Sequence, residues 1–291
     1  MDLIDIFITP FSYGFMSRAL ISALAASGVC ALLSCWLVLV GWSLMGDAVS
    51  HAVLPGVVLA YIAGVPFAFG AILFGAGAVV LIGIVQEKTR LRQDAAIGIV
   101  FTTFFALGLV LVSITPSHID LGHIVFGNLL GVSTVDMLQV VVLAVLVAIV
   151  LVVTRHDLTL VTFDPAHAYV IGLSPQILNG ILLGALAVTT VVALQVVGVI
   201  LVVALLILPG AIARLLTQRI TTMLLIAPTT SMVCTVGGLL VSYHADIASG
   251  ATVVLFHGAA FLAAWLLSPQ VGVPVLARRH RQRRAGRTTW N

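Results

Sequence analysis

Nine long apolar runs limit this chain to folds that a lipid bilayer can hold. Each run approaches the roughly 20 residues that a helix needs to cross the hydrocarbon core. The runs cover residues 17–42, 45–64, 66–86, 94–114, 134–154, 175–194, 197–217, 220–242 and 250–268. Only 8% of the 291 residues are charged and 61% are hydrophobic, whereas about a quarter of a soluble domain is charged. The sequence therefore predicts an all-α, polytopic transmembrane helix bundle of about nine spans. Eight spans are the alternative if one bent helix replaces two at 41–46 or at 195–198.

Basic residues indicate which loops face the cytoplasm, because short cytoplasmic loops are enriched in Lys and Arg. They are Lys88, Arg90, Arg92, Arg155, Arg214, Arg219 and the six arginines within 278–287. With nine spans all of them fall on one side, which predicts a multi-pass protein of the cell membrane with its N-terminus outside and its C-terminus in the cytoplasm.

Both ends of the chain are predicted to lie outside the helix bundle. Residues 1–15 mix aromatic and acidic side chains and are interpreted as an interfacial segment on the membrane surface. Residues 16–270 form the transmembrane domain. We interpret the basic tail, residues 271–291, as a topology determinant near anionic lipid and not as a nucleic-acid binding segment.

The second run carries an acid and a histidine in an apolar setting. In a helix, Asp47 and His51 are four residues apart and project from the same face. A carboxylate oxygen and an imidazole nitrogen suit divalent first-row metals, and ionisable residues inside a membrane often mark a transport path. Pro55 cannot donate a hydrogen bond to the carbonyl of His51, which predicts a spare oxygen and a kink. A structural alternative stays open, in which Asp47 caps the helix and His51 bonds a neighbouring helix.

Other polar residues are weaker candidates for metal contact. Two clusters on the predicted outer side could touch a cation: His118, Asp120 and His123 in the 115–133 loop, and His244 with Asp246 before the last run. Helix capping is the favoured role of the two aspartates. His257 lies alone in the last run, where hydrogen-bonded packing is the favoured role.

A short helix is predicted between the fifth and sixth runs. Asp164 has the position of an N-cap, Pro165 that of the first helical residue, and Gly172 that of the terminator. Capping at both ends favours an element that holds its shape over a plain turn.

The sequence contains no motif of an enzyme that would hydrolyse ATP by itself. The phosphate-binding loop G-x-x-x-x-G-K-[ST] is absent, as are H-E-x-x-H and G-x-S-x-G. We therefore expect no enzymatic activity in this chain, and any ATP would be hydrolysed by another subunit. Cys30, Cys35 and Cys234 lie within apolar runs and are interpreted as small packing residues without a disulfide.

Six stretches, each a weak signal alone, together resemble one family. They are LMGDAVSHAVLPG at 44–56, DAAIGIVF at 94–101, GNLLG at 127–131, FDP at 163–165, VGVILVVALLILP at 197–209 and IASGA at 247–251. With these stretches, residues 16–270 resemble the permease subunits of ATP-binding-cassette importers for manganese, zinc and iron. Ser50 before His51 and the forms of GNLLG and FDP look closer to the manganese branch.

The resemblance implies a fold, partners and site residues. The family is similar in fold to the large-bundle importers of the vitamin B12 type, works as a dimer and receives metal from an extracellular binding protein or lipoprotein. A separate cytoplasmic ATPase subunit hydrolyses the ATP. Asp47 and His51 match the intramembrane metal pair of the family. The element that docks on the ATPase matches 164–172, with Asp164, Pro165, Ala166, His167, Ala168 and Gly172. The transported ion is expected to be Mn2+, then Zn2+ or Fe2+.

A two-fold axis would complete the metal site, because each motif then meets its own copy. If Asp47 and His51 face that axis, two carboxylates and two imidazoles surround the ion, and the carboxylates offset its desolvation. One rival hypothesis is a stand-alone, ion-coupled secondary metal transporter. Another is an intramembrane metalloenzyme, for which a three-ligand site with a general base is missing.

Overall fold

The computed structural model of the protein describes residues 10, 12–65, 67–89, 91–115 and 131–268. Within these residues the helices are α1 (Gly14–Val40), α2 (Ser43–Ala52), α3 (Leu54–Ala63), α4 (Phe67–Thr89), α5 (Gln93–Ile114), α6 (Thr134–Val153), α7 (Arg155–Phe163), α8 (Pro165–Val170), α9 (Pro175–Val197), α10 (Val199–Leu216), α11 (Ile220–Ala245) and α12 (Ser249–Leu267). The described part of the chain contains nine candidate membrane spans, of which the second is α2 together with α3. The prediction of an all-α bundle of nine spans is confirmed.

Two glycines in unusual backbone conformations separate neighbouring spans. Gly41 ends α1 with φ at +84°, and Gly198 lies between α9 and α10 with φ at +79°. Glycine adopts positive φ without the steric cost that a Cβ brings. Both positions where one bent helix could have replaced two are therefore helix boundaries. Helix α1 begins at Gly14, three residues before the apolar run that the sequence places at 17–42.

The first helix, α1, lies at the centre of the bundle and contacts α6, α9, α10 and α11. It is apolar around its whole circumference, as expected of a helix that is enclosed by others. Leu33, Trp36 and Leu37 are fully buried. The approach to α10 is closest at Gly210, where a Cβ would overlap the carbonyl of Ser34. A larger residue at 210 would push apart two helices that hold the core together.

Contacts between helix ends show which ends of the spans lie on the same face of the bundle. Ser268 Oγ donates to the carbonyl of Leu215 over 2.9 Å, so the ends of α10 and α12 lie on one face. On the other face, Arg18 Nε donates to the carbonyl of Val132 over 3.0 Å at the start of α6. This arrangement is the one that nine alternating spans require. The face of Leu215 is also the face of the predicted cytoplasmic loops with Lys88, Arg92, Arg155, Arg214 and Arg219.

Several predictions from the sequence concern residues outside the ranges that the structure describes. These are most of the 1–15 segment, the 115–133 loop with His118, Asp120 and His123, and the basic tail at 271–291. Residues 131–133 are the part of that loop that is described.

Candidate metal site in the membrane

The site begins with a local interruption of the second span. Helix α2 ends at Ala52 and α3 begins at Leu54, while Val53 between them keeps right-handed helical dihedrals of φ −67° and ψ −27°. Pro55 has no N–H to donate to the carbonyl of His51, so the hydrogen-bond ladder is broken at this turn. The regular helix therefore stops beside His51, although α2 and α3 together count as one candidate membrane span.

Asp47 and His51 face each other one turn apart on α2. The distance from Asp47 Oδ1 to His51 Nε2 is 3.3 Å, and the two side chains are 36% and 27% exposed, respectively. It is the only acid-base pair within 4.0 Å in the described part of the chain. Ser50 Oγ donates to the backbone carbonyl of Asp47 over 2.8 Å. The pair is thus accessible from one side, although it lies in a span of the bundle.

That accessible side opens into a cavity of about 390 Å³. Besides Asp47, Ser50 and His51, the residues that line it are Val53, Leu54, Val57, Phe105, Leu109, Leu194, Val199, Ile200 and Val203. All polar side chains of this lining come from α2, and the other walls are apolar. A few convergent polar groups in an otherwise apolar cavity are typical of a ligand site.

Two phenyl rings of α5 fix the His51 side chain from behind. The ring centroid of His51 lies 5.2 Å from that of Phe101 and 5.0 Å from that of Phe105, and both contacts are edge-on. The two phenyl rings stack on each other at 6.0 Å. Edge-to-face contacts of this kind favour a defined ring orientation. They hold the imidazole with Nε2 towards Asp47.

The sequence reasoning missed this aromatic support. Phe101, Phe104 and Phe105 lie in one run of α5, and the spacing alone does not say which of them meets His51. In the structure Phe104 contacts Phe74 of α4 instead, with ring centroids 5.9 Å apart. A pair of aromatic residues four apart, beside a span that carries a polar pair, is the signal that could have found it.

One chain brings two metal ligands together. Among the described residues no group of three His, Cys, Asp or Glu side chains could hold a metal ion. Carboxylate oxygen and imidazole nitrogen are ligands that Mn2+, Fe2+ and Zn2+ all accept. Further ligands for an ion between Asp47 and His51 would have to come from water, from backbone oxygens or from a second chain.

His244 and Asp246, the predicted outer-side contacts that the structure describes, do not line this cavity. His244 is exposed, and its Nδ1 lies 2.9 Å from the carbonyl of Leu240 on its own helix. Asp246 ends α11 in the left-handed conformation, with φ at +51°.

His257 lies in a closed environment on α12. It is fully buried, with Nδ1 at 2.9 Å from the carbonyl of Val253 and Nε2 at 3.1 Å from Ser231 Oγ. The first contact assigns the ring proton to Nδ1, because a carbonyl can only accept. The Ser231 hydroxyl lies between two acceptors, Nε2 at 3.1 Å and the carbonyl of Ser27 at 3.3 Å. Hydrogen-bonded packing, as expected for this lone histidine, is what the structure shows. Cys30, Cys35 and Cys234 are buried and free of disulfides, as predicted.

The short helix predicted near residue 164 is α8. Asp164 Oδ1 accepts a hydrogen bond from the backbone N–H of His167 over 2.9 Å, which caps the first turn. Gly172, with φ at +90°, lies just past the end of the helix. Tyr169 and Val170 are 71% and 80% exposed. The helix therefore has fixed ends and presents large apolar side chains outwards.

Similarity to known proteins covers nearly the whole bundle. The family model described as "ABC 3 transport family" matches residues 12–268. The manganese transport system membrane protein MntB of Synechocystis is 48% identical over 276 residues, which are 95% of this chain and 90% of the relative. The chelated iron transport system membrane protein YfeD of Yersinia pestis is 45% identical over 262 residues, which are 90% and 88% of the two chains.

A solved structure has the same arrangement of helices. A chain of PsaBC from Streptococcus pneumoniae, in complex with a Fab, superposes with a TM-score of 0.84 at 35% sequence identity. The match covers 92% of this chain and 97% of the other. The apolar runs, the nine described spans and the family match over residues 12–268 agree, and the chain belongs to the ABC 3 transport family.

Proposed function

We propose that this chain is the membrane permease subunit of an importer that moves divalent metal ions, Mn2+ first, into the cell. The observation that carries the proposal is the Asp47–His51 pair, which meets a cavity of about 390 Å³ inside the bundle. Relatives named for manganese and chelated-iron transport support the class of ion. Fe2+ and Zn2+ remain the next candidates, since their ligand preferences overlap with those of Mn2+.

Two copies of the chain would complete the site. Each copy contributes one carboxylate and one imidazole, so a two-fold axis beside Asp47 and His51 gives four ligands and two negative charges. Two carboxylates neutralise a divalent ion, which offsets the large cost of moving its charge out of water. The apolar walls of the cavity then exclude competing water and strengthen the attraction.

The energy for transport would come from a cytoplasmic ATPase subunit that docks on α8. The exposed Tyr169 and Val170 supply the apolar contact area, and the Asp164 cap keeps the helix formed while it transmits force. In the same assembly an extracellular metal-binding protein or lipoprotein delivers the ion on the face that holds the N-terminus. The C-terminus then lies in the cytoplasm.

Metal uptake by the reconstituted complex tests this function. Liposomes that contain the chain with its ATPase subunit should accumulate Mn2+ only when ATP and the binding protein are present. When the accumulation of labelled Mn2+ is followed, an excess of unlabelled Fe2+ or Zn2+ should inhibit it less than an excess of unlabelled Mn2+ does. Asp47→Asn, which removes one charge without changing the size of the side chain, should abolish accumulation, while Asp136→Asn in the first turn of α6 should leave it intact. Accumulation by the Asp47→Asn complex would refute the proposal.

Docking is tested separately through the α8 cap. Asp164→Ala should weaken the association of the ATPase subunit by about fivefold to tenfold, since loss of an N-cap costs about 1 kcal/mol. Co-purification and surface plasmon resonance measure this effect. Association at the wild-type level would exclude a docking role for the capped helix.

A further inference from the structure

A groove with a basic rim lies between α7 and the first turns of α11. Its volume is about 300 Å³, at the low end of the range of roughly 300–1,000 Å³ that is usual for ligand sites. Its lining divides into two chemical halves. Arg155, His156, Thr159 and Thr221 provide polar groups, and Leu160, Phe163, Ile220 and Leu224 provide an apolar wall.

The groove carries a positive charge that no carboxylate contacts among the described residues, although Asp157 lies in the same turn of α7. Arg155 Nε donates to Nε2 of the neighbouring His156 over 3.4 Å, which leaves four further N–H donors of the guanidinium. No carboxylate lies within 4.0 Å of Arg155 among the residues that the structure describes, and none lines the groove. The Thr159 hydroxyl donates to the carbonyl of Arg155 over 2.6 Å, so an anionic group would find a positive charge and the hydroxyl of Thr221 together.

The groove lies where the membrane ends. Arg155 begins α7, one residue after the end of α6, whose last residue, Val153, is a largely exposed apolar side chain. Ile220 begins α11, which is the eighth candidate span. The polar half of the groove is thus level with the headgroups, and Leu224, one turn into α11, is level with the start of the hydrocarbon core.

We infer that this groove binds one phospholipid with an anionic headgroup. The phosphate accepts hydrogen bonds from the Arg155 guanidinium and from the hydroxyl of Thr221. The glycerol and the first part of an acyl chain lie against Leu160, Ile220 and Leu224. The inference does not depend on the metal site, since neither Asp47 nor His51 contributes to the groove.

A second possible occupant is the ATPase subunit, because Phe163 lies beside α8. The chemistry of the groove favours lipid. Its wall continues along α11 into the membrane, where a water-soluble subunit does not reach, and its polar groups match a phosphate. A lipid bound between α7 and α11 would hold α7 in position. It would thereby also hold α8, which follows α7 directly in the chain.

Native mass spectrometry of the permease in complex with its ATPase subunit tests the inference. The complex is purified in detergent and incubated with equal amounts of phosphatidylglycerol and phosphatidylethanolamine. We expect the wild type to retain phosphatidylglycerol selectively and the double variant Arg155→Gln/His156→Gln to bind it at least about fivefold more weakly. Arg155→Lys should retain most of the binding, because it keeps the charge. Lys88→Gln, a basic residue on the same face outside the groove, is the matched control.

Three outcomes would overturn the inference. The first is equal retention of phosphatidylglycerol by the wild type and the double variant. The second is displacement of the lipid by inorganic phosphate, which would make the site one for a free anion. The third is loss of the ATPase subunit from the double variant with the lipid retained, which would assign the groove to that subunit. Thermal unfolding of each variant in detergent checks that the fold is intact.

Discussion

Two histidines within the membrane part of this protein show what distinguishes a structural polar residue from a functional one. His257 is fully buried, and both of its nitrogens have partners on the protein, Val253 and Ser231. His51 is 27% exposed, faces a carboxylate at 3.3 Å and lies at the wall of a cavity. Both rings are in an apolar setting, but of the two histidines only His51 lines space that a ligand could occupy.

The difference follows from what surrounds each ring. Helices α11 and α12 pack closely near His257, where Gly238 lies against the backbone of Val253, so the ring is enclosed. At His51 the interruption beside Pro55 and the walls from α5, α9 and α10 leave a cavity of about 390 Å³. Burial of a polar group costs free energy unless every hydrogen bond is made. At His257 the protein makes these bonds itself, whereas at His51 we propose that coordination to the metal ion takes the place of one of them.

The largest effect should separate the two histidines in transport. His51→Gln is expected to lower ATP-dependent Mn2+ uptake by more than about 100-fold, because even partners outside the metal ligands cost about 10–100-fold when they are removed. His257→Gln should retain uptake with an unchanged KM for the metal. Initial rates of uptake into liposomes at several Mn2+ concentrations measure both. An equal loss of Mn2+ uptake in His51→Gln and His257→Gln would show that the two histidines do not differ in their role in transport.

A smaller effect should follow when the support of His51 is removed. Phe105→Leu leaves the ligands in place but removes one of the two rings that orient the imidazole. The KM for Mn2+ should therefore rise by about twofold to twelvefold with kcat nearly unchanged, which corresponds to the 0.5–1.5 kcal/mol typical of an aromatic pair. Phe104→Leu is the matched control, since Phe104 contacts Phe74 and not His51.

The same measurement distinguishes positioning from general packing. Phe105→Tyr keeps the aromatic ring and should restore the wild-type KM. If the Phe104 and Phe105 variants changed kcat and KM alike, the rings would serve only to fill space in the bundle.

A variant of His257 should have the smallest effect on transport but a measurable effect on the stability of the protein. His257→Gln leaves the carbonyl of Val253 or the hydroxyl of Ser231 with a poorer partner inside the bundle, which should lower the free energy of unfolding by about 1–3 kcal/mol. Denaturation in detergent followed by circular dichroism measures it. A variant as stable as the wild type would show that these hydrogen bonds are not what holds α11 against α12.

Most of the fold could be predicted from the sequence because the signal is long and repeated. Each span needs about 20 apolar residues, and few other structures tolerate such runs. The ends of the spans were harder to predict than their existence. Helix α4 continues to Thr89, beyond the apolar run that ends at residue 86, because a helix satisfies its own backbone hydrogen bonds where polar side chains follow.

The candidate site was only partly accessible to sequence reasoning. The four-residue spacing of Asp47 and His51 predicted a shared face, because that spacing depends on local helix geometry alone. The walls of the cavity come from residues far apart in the chain, such as Leu109 and Leu194. The sequence does not show which neighbour an apolar side chain contacts. It could therefore not predict that Phe105, and not Phe104, contacts His51.

The central claim, that Asp47 and His51 ligate the transported ion, is tested most directly by electron–nuclear double resonance on Mn2+ bound to the permease. With 15N-labelled histidine, the wild type should show a 15N hyperfine coupling to Mn2+. The coupling should vanish in His51→Gln and persist in His257→Gln. A coupling that persists in His51→Gln, or bound Mn2+ in the wild type without any histidine coupling, would contradict the account.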